Sequence, residues 1–367
     1  LFVLNRRIFT HFDFILPILV LPLVIFSHVL ISEASETLAI KQYVYFGAGF
    51  MAYIFFFLFP IRKFEWLIPA FYWLNIALLL SVKFFGVSKL GAKRWLEIPV
   101  ANFTIQPSEM MKISLILMLA YLIKKSPPPL KGYKIKEFAK LASTVLLPFI
   151  LIQQEPDLGT ATILFLTGFG VFFIIGVNKK IWLSLGIIFC VASPLVYENL
   201  HDYQKERIKS FISKDPGYQV QQSIIAIGNG GMYGKNSENA TQTSSKFLPI
   251  ATSDFIFAYV AERFGFVGIC SVMAMYFILI VHILSFNYFL KTDYFARVIT
   301  NSAALMVFIY ASVNIAMTIG MGPVVGVPLP FFSYGGSSFF TFMSIFGMVQ
   351  NMVTFRYIKD NTIKIRF

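Results

Sequence analysis

Residues 158–177 read LGTATILFLTGFGVFFIIGV, twenty consecutive positions without a single charge. A helix rises about 1.5 Å per residue, so this run is as long as the hydrocarbon core of a bilayer is thick. A water-exposed helix of that length would show a charged face, and this one has none. Charge returns only at its two ends, with Asp157 before the run and Lys179-Lys180 after it. The stretch therefore reads as a membrane span with an acidic mouth at one end and a basic foot at the other.

Nine further runs of similar character lie on either side. Together the spans are expected at about 14–32, 41–60, 66–84, 107–123, 139–154, 158–177, 181–198, 265–289, 299–319 and 339–355. Composition agrees: of 367 residues 57% are hydrophobic and only 13% charged, about half the charge of an ordinary soluble domain. The expected fold is an all-α polytopic membrane protein of ten transmembrane helices, one continuous domain over 1–367. The first span follows Arg6-Arg7 and imitates a signal peptide, but with nine spans behind it an uncleaved helix is the better reading.

A formal net charge of +13 suggests a nucleic-acid binder until the basic residues are placed. They sit in short clusters between the apolar runs, which argues for a membrane protein and against nucleic acid. With both termini inside, Arg6, Arg7, Arg62, Lys63, Lys124, Lys125, Lys131, Lys134, Lys136, Lys140, Lys179, Lys180, Lys291 and Arg297 all face the cytoplasm, as do Arg356, Lys359, Lys364 and Arg366. The short outside loops keep only Lys41, Lys83, Lys89, Lys93 and Arg94. The positive-inside rule thus selects N-in/C-in topology. One outside connection, 199–264 between the seventh and eighth spans, is far longer than the others and carries Phe211, Tyr218, Ile224, Ile225, Phe247 and Phe255 at spacings suited to short interfacial helices.

Cys190 and Cys270 lie within apolar runs, and His11, His28, His201 and His282 form no ligand pair, so no dedicated zinc site is expected. The absence of an internal repeat weakens a transporter built from duplicated halves.

Polar groups near the spans are costly and each needs a reason. Glu109 and Lys112, at the start of the fourth span, lie three residues apart on one helix face and can neutralise each other, while Ser108 is placed to cap the helix. Asp157 is placed to cap the sixth helix after the turn that Pro156 enforces. Asp254 stands just ahead of an apolar helix, where a carboxylate either caps that helix or, partly desolvated, serves as a proton acceptor. The run Gly228-Asn229-Gly230-Gly231-Met232-Tyr233-Gly234-Lys235 is not a nucleotide loop, since Asn229 and Asn236 occupy positions where one needs Gly and Ser or Thr. Its glycines either let backbone amides approach a diphosphate or form a plain turn. Gly326 to Ser338, with Pro328, Pro330, Gly335 and Gly336, cannot be regular helix, so its backbone has to be satisfied within a cavity.

In order along the chain, these segments resemble the SEDS family (shape, elongation, division and sporulation proteins), most closely its elongation branch and next its division branch. The resemblance rests on Gly91-Ala92-Lys93-Arg94-Trp95, Gln106-Pro107-Ser108-Glu109 with Lys112, Pro156-Asp157-Leu158-Gly159-Thr160, Tyr218-Gln219, Gly234-Lys235, Phe247-Leu248-Pro249, Asp254-Phe255-Ile256-Phe257-Ala258 and Pro328 through Ser338. The sequence departs from the family pattern at Ile250-Ala251-Thr252-Ser253 and at Asn236, and keeps the carboxylate.

The resemblance implies a peptidoglycan glycosyltransferase that polymerises lipid II in the bacterial inner membrane, its site facing the periplasm or cell exterior. Asp254 is implied as the catalytic base, and undecaprenyl diphosphate is the leaving group. Arg94, Glu109, Lys112, Asp157, Lys235, Ser333 and Gly335 are the implied substrate-binding positions. Implied partners are a class B penicillin-binding protein acting as transpeptidase and other elongation-complex membrane proteins. A divalent cation, magnesium or manganese, held by carboxylates is an optional aid to the leaving diphosphate. The rival from another class is a flippase that moves lipid II unaltered.

Overall fold

The computed structural model describes residues 10–89, 92–98, 103–155, 157–198, 205, 209, 217–236, 240, 247–248 and 250–356. Expectations for Arg6, Arg7, Pro156, His201, Phe211, Lys359, Lys364 and Arg366 lie outside these residues. Among the described residues ten helices of 18 residues or more are present: α1 (Ile15–Ala34), α2 (Glu36–Leu58), α3 (Ile68–Phe85), α4 (Pro107–Lys125), α5 (Ile135–Gln154), α6 (Leu158–Ile175), α7 (Lys179–Glu198), α9 (Ile256–Ser285), α10 (Tyr294–Thr318) and α11 (Gly336–Thr354). Each coincides with one of the ten runs expected above. Five of the ten, with flanking turns, are both long and apolar enough to cross a bilayer on length and composition alone: Ile15–Ala34, Glu65–Phe85, Leu158–Ile175, Ile256–Tyr288 and Tyr294–Thr318. The molecule is an all-helical multi-pass membrane protein, with a shorter helix, α8 (Tyr218–Gly230), in the long connection.

Two departures from expectation have physical causes. The helix expected to start at Gly265 begins at Ile256, so the last nine residues assigned to the long connection are helical. Gly265 is instead a break within α9 (φ 62°, ψ −157°), where a Cβ would lie 2.4 Å from Gly234 N. The connection between α3 and α4, for which the sequence suggests no element, forms a small antiparallel sheet of β1 (Val87–Lys89), β2 (Ala92–Ile98) and β3 (Phe103–Ile105) in the order β1-β2-β3. Its strands are too short and too charged for a two-residue alternation to be readable.

α10 is the hub. It packs against α4, α6, α8, α9 and α11, and most of its residues are buried, including Thr300, Asn301, Ser302 and Asn314. α2 lies along α11, with Gly49 and Gly347 at the contact. At one end of the bundle, ion pairs tie neighbouring elements: Arg62 to Asp293 at 2.6 Å, Lys124 to Glu65 at 2.5 Å, and His282 to Asp13 at 2.9 Å. At the other end lie the sheet, the N-termini of α4, α6 and α9, and the non-helical segment before α11.

Candidate active site

Asp254 is held at the sheet end. α9 begins at Ile256 with Phe255 in the cap position and no side-chain cap, so the carboxylate of Asp254 is not spent on capping. Main-chain bonds fix its backbone instead. Asn314 Nδ2 donates to Asp254 O at 2.7 Å and to Val327 O at 2.6 Å. Ser333 Oγ donates to Ser253 O at 2.6 Å and accepts from Leu329 N at 2.8 Å, and Tyr334 N donates to Thr252 O at 2.9 Å. Tyr276 Oη donates to Pro330 O at 2.6 Å. In the proline- and glycine-containing segment, the backbone groups of Val327, Leu329, Pro330 and Tyr334 thus find partners within the protein. Gly326 (φ 66°) borders the acid itself, since a Cβ there would lie 3.5 Å from Asp254 Oδ2. Burial raises the Asp254 carboxyl above the ordinary 3.8, and a hydrogen bond from Ser253 offsets part of the rise. A partly desolvated carboxylate is a stronger proton acceptor.

A second group surrounds the start of α6. Asp157 caps this helix as expected, accepting from Thr160 N at 3.2 Å. Gln106 Nε2 donates to its other oxygen at 3.2 Å, and Arg94 of β2 reaches it at 3.7 Å. Arg94 Nε also donates to the main-chain oxygen of Glu155 at 3.3 Å. The Glu155 side chain is buried, and among the described residues neither of its oxygens has a hydrogen-bond partner. Burial pushes its carboxyl up to about 8, the charge of Asp157 adds to the rise, and Arg94 opposes it. α6 meets the segment that leads to Gly326 through Gly159, where a Cβ would be 2.4 Å from Val325 O.

The third group is the pair expected on α4. Lys112 Nζ contacts Glu109 Oε1 at 2.5 Å, with the lysine side chain only 1% exposed, and it also donates to the hydroxyl of Tyr310 on α10. Ser108 does not cap the helix: Gln106 is the cap residue, and the Ser108 hydroxyl is buried in the first turn without a partner among the described residues.

Lys235 has a different setting. Of the two readings of the glycines before it, amides open to a diphosphate or a plain turn, the bonds favour the turn. Lys235 N donates to Glu262 O at 2.9 Å and Gly234 N to Gly230 O at 2.8 Å, while Gly231 O and Met232 O accept from α9. A Cβ would fall 1.9 Å from Ala261 O at Gly230 and 2.2 Å from Arg263 O at Gly234, so these two positions are glycine because the end of α8 and the turn after it touch the α9 backbone. Gly335 is the cap residue of α11 in extended conformation and meets nothing closer than Ser338 Cβ at 4.0 Å; the close-packed glycine is Gly336, against the ring of Tyr45. Among the described residues no three His, Cys, Asp or Glu side chains converge in a way that could hold a metal ion, and the oxygens of Asp157 are already engaged. These residues do not fit a divalent cation, and no step below uses one.

Three residues of the site are absent from the sequence-based set: Tyr310, Asn314 and Glu155. An asparagine in the middle of an apolar run is itself a costly polar group, so Asn314 carried a readable signal.

The profile of the cell cycle protein family FtsW/RodA/SpoVE matches residues 3–358. The chain is 50% identical over 364 residues to "Peptidoglycan glycosyltransferase MrdB" of Helicobacter pylori strain J99, covering 99% of this chain and 96% of that one. It is 37% identical over 315 residues to the protein of that name from Escherichia coli K12, covering 83% and 82%, and 33% identical over 357 residues to a probable peptidoglycan glycosyltransferase FtsW of Wigglesworthia glossinidia brevipalpis, covering 92% of each. The fold matches a chain from a peptidoglycan synthase complex that coordinates polymerisation and crosslinking (TM-score 0.82, 25% identity, 94% of this chain and 98% of that one). It also matches the rod shape determining protein RodA of Thermus thermophilus (TM-score 0.70, 24% identity, covering 94% and 98%). The chain belongs to the FtsW/RodA/SpoVE family, the SEDS proteins, as its motifs suggested.

Proposed function

We propose how this chain, a peptidoglycan glycosyltransferase of the SEDS family, carries out its reaction: it polymerises lipid II, with Asp254 as general base. The acceptor sugar hydroxyl attacks the anomeric carbon of the donor. As that bond forms, its proton passes to Asp254, the bond from the anomeric carbon to the diphosphate breaks, and undecaprenyl diphosphate leaves with inversion. The observation that carries this reading is a carboxylate freed from helix capping, raised in pKa by burial, and fixed through its main chain to the segment 326–334.

On a reading of ten crossings with both termini in the cytoplasm, this end of the bundle faces outward across the bacterial inner membrane. Support comes from Arg62, Lys63, Lys124, Lys125, Lys131, Lys134, Lys291 and Arg297, which lie in the connections and helix ends at the opposite end. Arg94, whose side chain is 27% exposed, and Lys235 are assigned to the leaving diphosphate. Asp157 orients Arg94. Lys112 and Glu109, enclosed as a pair, act on the site through their field rather than by touching lipid-linked phosphate. Ser333 and Gly335 belong to the wall that the sugar meets.

The relatives named MrdB and the fold match to a synthase complex support an elongation role and a class B penicillin-binding protein as partner. The experiment that separates polymerisation from flipping uses vesicles holding the purified chain, with lipid II supplied on one face only. Glycan lengthening from that face is expected. Transfer of a non-reactive lipid II analogue across the bilayer without any lengthening would establish the flippase instead.

A further inference from the structure

Two buried side chains of α10 have no part in the reaction as set out above, yet one bonds the main chain of Asp254 and the other bonds the Lys112 ammonium. Asn314 is fully buried, and its amide nitrogen uses both hydrogens on main-chain oxygens, one of Asp254 and one of Val327. Its own Oδ1 is buried without a partner among the described residues. Tyr310, four residues earlier, is also buried, and its hydroxyl accepts from Lys112. Residues four apart lie one helical turn from each other on the same face, with about 6 Å between them.

An apolar residue of similar volume would fill the Asn314 position at less cost in desolvation. What such a residue lacks is the pair of donors. Val327 and Asp254 belong to two non-helical segments that have no ladder of their own to fix their spacing. One amide joins both to a rigid helix, and a phenol one turn away joins the same helix to the Glu109-Lys112 pair.

We propose that Asn314 and Tyr310 are positioning residues, through which α10 sets the separation between Asp254 and the buried Glu109-Lys112 pair. This rests on the reading of Asp254 as the base. Asn314 acts on the main chain of the acid, and Tyr310 acts on the ammonium; neither touches substrate. A small shift of a reacting group costs rate rather than affinity.

The test compares Asn314→Leu, Tyr310→Phe and Asp254→Asn in the full-length chain, polymerising lipid II in vesicles across a range of pH. Asn314→Leu is expected to lower kcat by about 10²-fold while KM changes by less than about threefold. Its acid limb is expected to move to lower pH, because a released Asp254 regains water and its pKa falls toward the ordinary value. Tyr310→Phe is expected to lower kcat by about tenfold at unchanged KM. A purely structural role would lower the amount of folded protein and leave kcat per folded molecule and the pH profile as they were. A wild-type kcat in one variant removes that residue from the proposal, and in both it overturns the proposal. Should Asn314→Leu fail to fold, Tyr310→Phe, which deletes a single oxygen, decides alone. An active Asp254→Asn would remove the base itself; an inactive one beside two fully active α10 variants would remove only the positioning.

Discussion

Two glycine-rich stretches, 228–235 and 326–338, invite the same first reading and turn out to do opposite work. In the first, Gly230 and Gly234 let the end of α8 and the turn after it approach the start of α9 backbone to backbone, with the amide of Lys235 bonded to Glu262 O and that of Gly234 to Gly230 O in the turn. In the second, the break in helix is what allows a chain segment to lie beside Asp254, its carbonyls collected by Asn314 and Tyr276. Glycine content alone did not separate them. What separates them is where the bonds go: the first stretch spends them on its own packing, and the second spends them on holding the acid.

Substitutions at matched positions sharpen that contrast. Gly230→Ala is expected to cost folding, because the new methyl would sit 1.9 Å from a backbone oxygen that cannot yield; the yield of folded protein should collapse while kcat per folded molecule holds. Gly326→Ala meets only an ordinary contact but strains a φ of 66° next to the carboxylate. There the expectation is a fall in kcat of about 10²-fold with modest loss of stability. Equal effects of both substitutions on kcat would break the comparison.

The buried pair on α4 separates stability from chemistry in the same way. Lys112→Met leaves the half-buried Glu109 without its partner and is expected to destabilise by about 2–3 kcal/mol, less than for a fully buried pair. Adding Glu109→Gln removes the stranded charge and should restore most of the stability. Polymerisation should stay low in the double variant, because the field of the pair is gone; thermal unfolding and turnover measured on the same samples check both halves.

Glu155 supplies the smallest effect. Its carboxyl is pushed up to about 8 in the folded chain from an ordinary 4.5. Between those values the folded chain holds a proton that the unfolded chain has released, so this residue's contribution to stability declines as pH rises through that window. Glu155→Gln should therefore gain on the wild type in thermal stability at pH 9 relative to pH 5. A difference between the two that does not change with pH would place the carboxyl in water.

Much of this molecule is legible in its sequence. The ten apolar runs appear as ten helices because nothing but length and apolarity is needed to read them, and Asp157 and the Glu109-Lys112 pair are local features at fixed spacing along one chain segment. The contacts that assemble the site are not local. Arg94 rides on a small sheet whose strands have no readable period, and Tyr310 and Asn314 reach Lys112 and Asp254 across sequence separations no pattern encodes. Ser108 shows the opposite error: a good cap residue sits two places too far along, because Gln106 and Pro107 already start the helix.

The central claim is that Asp254 takes the proton during glycan synthesis. Asp254→Asn keeps the size of the side chain and its main-chain bonds, so the purified variant should bind lipid II with near-normal KM yet polymerise it about 10²- to 10⁴-fold more slowly. Polymerisation at close to the wild-type rate would contradict the account.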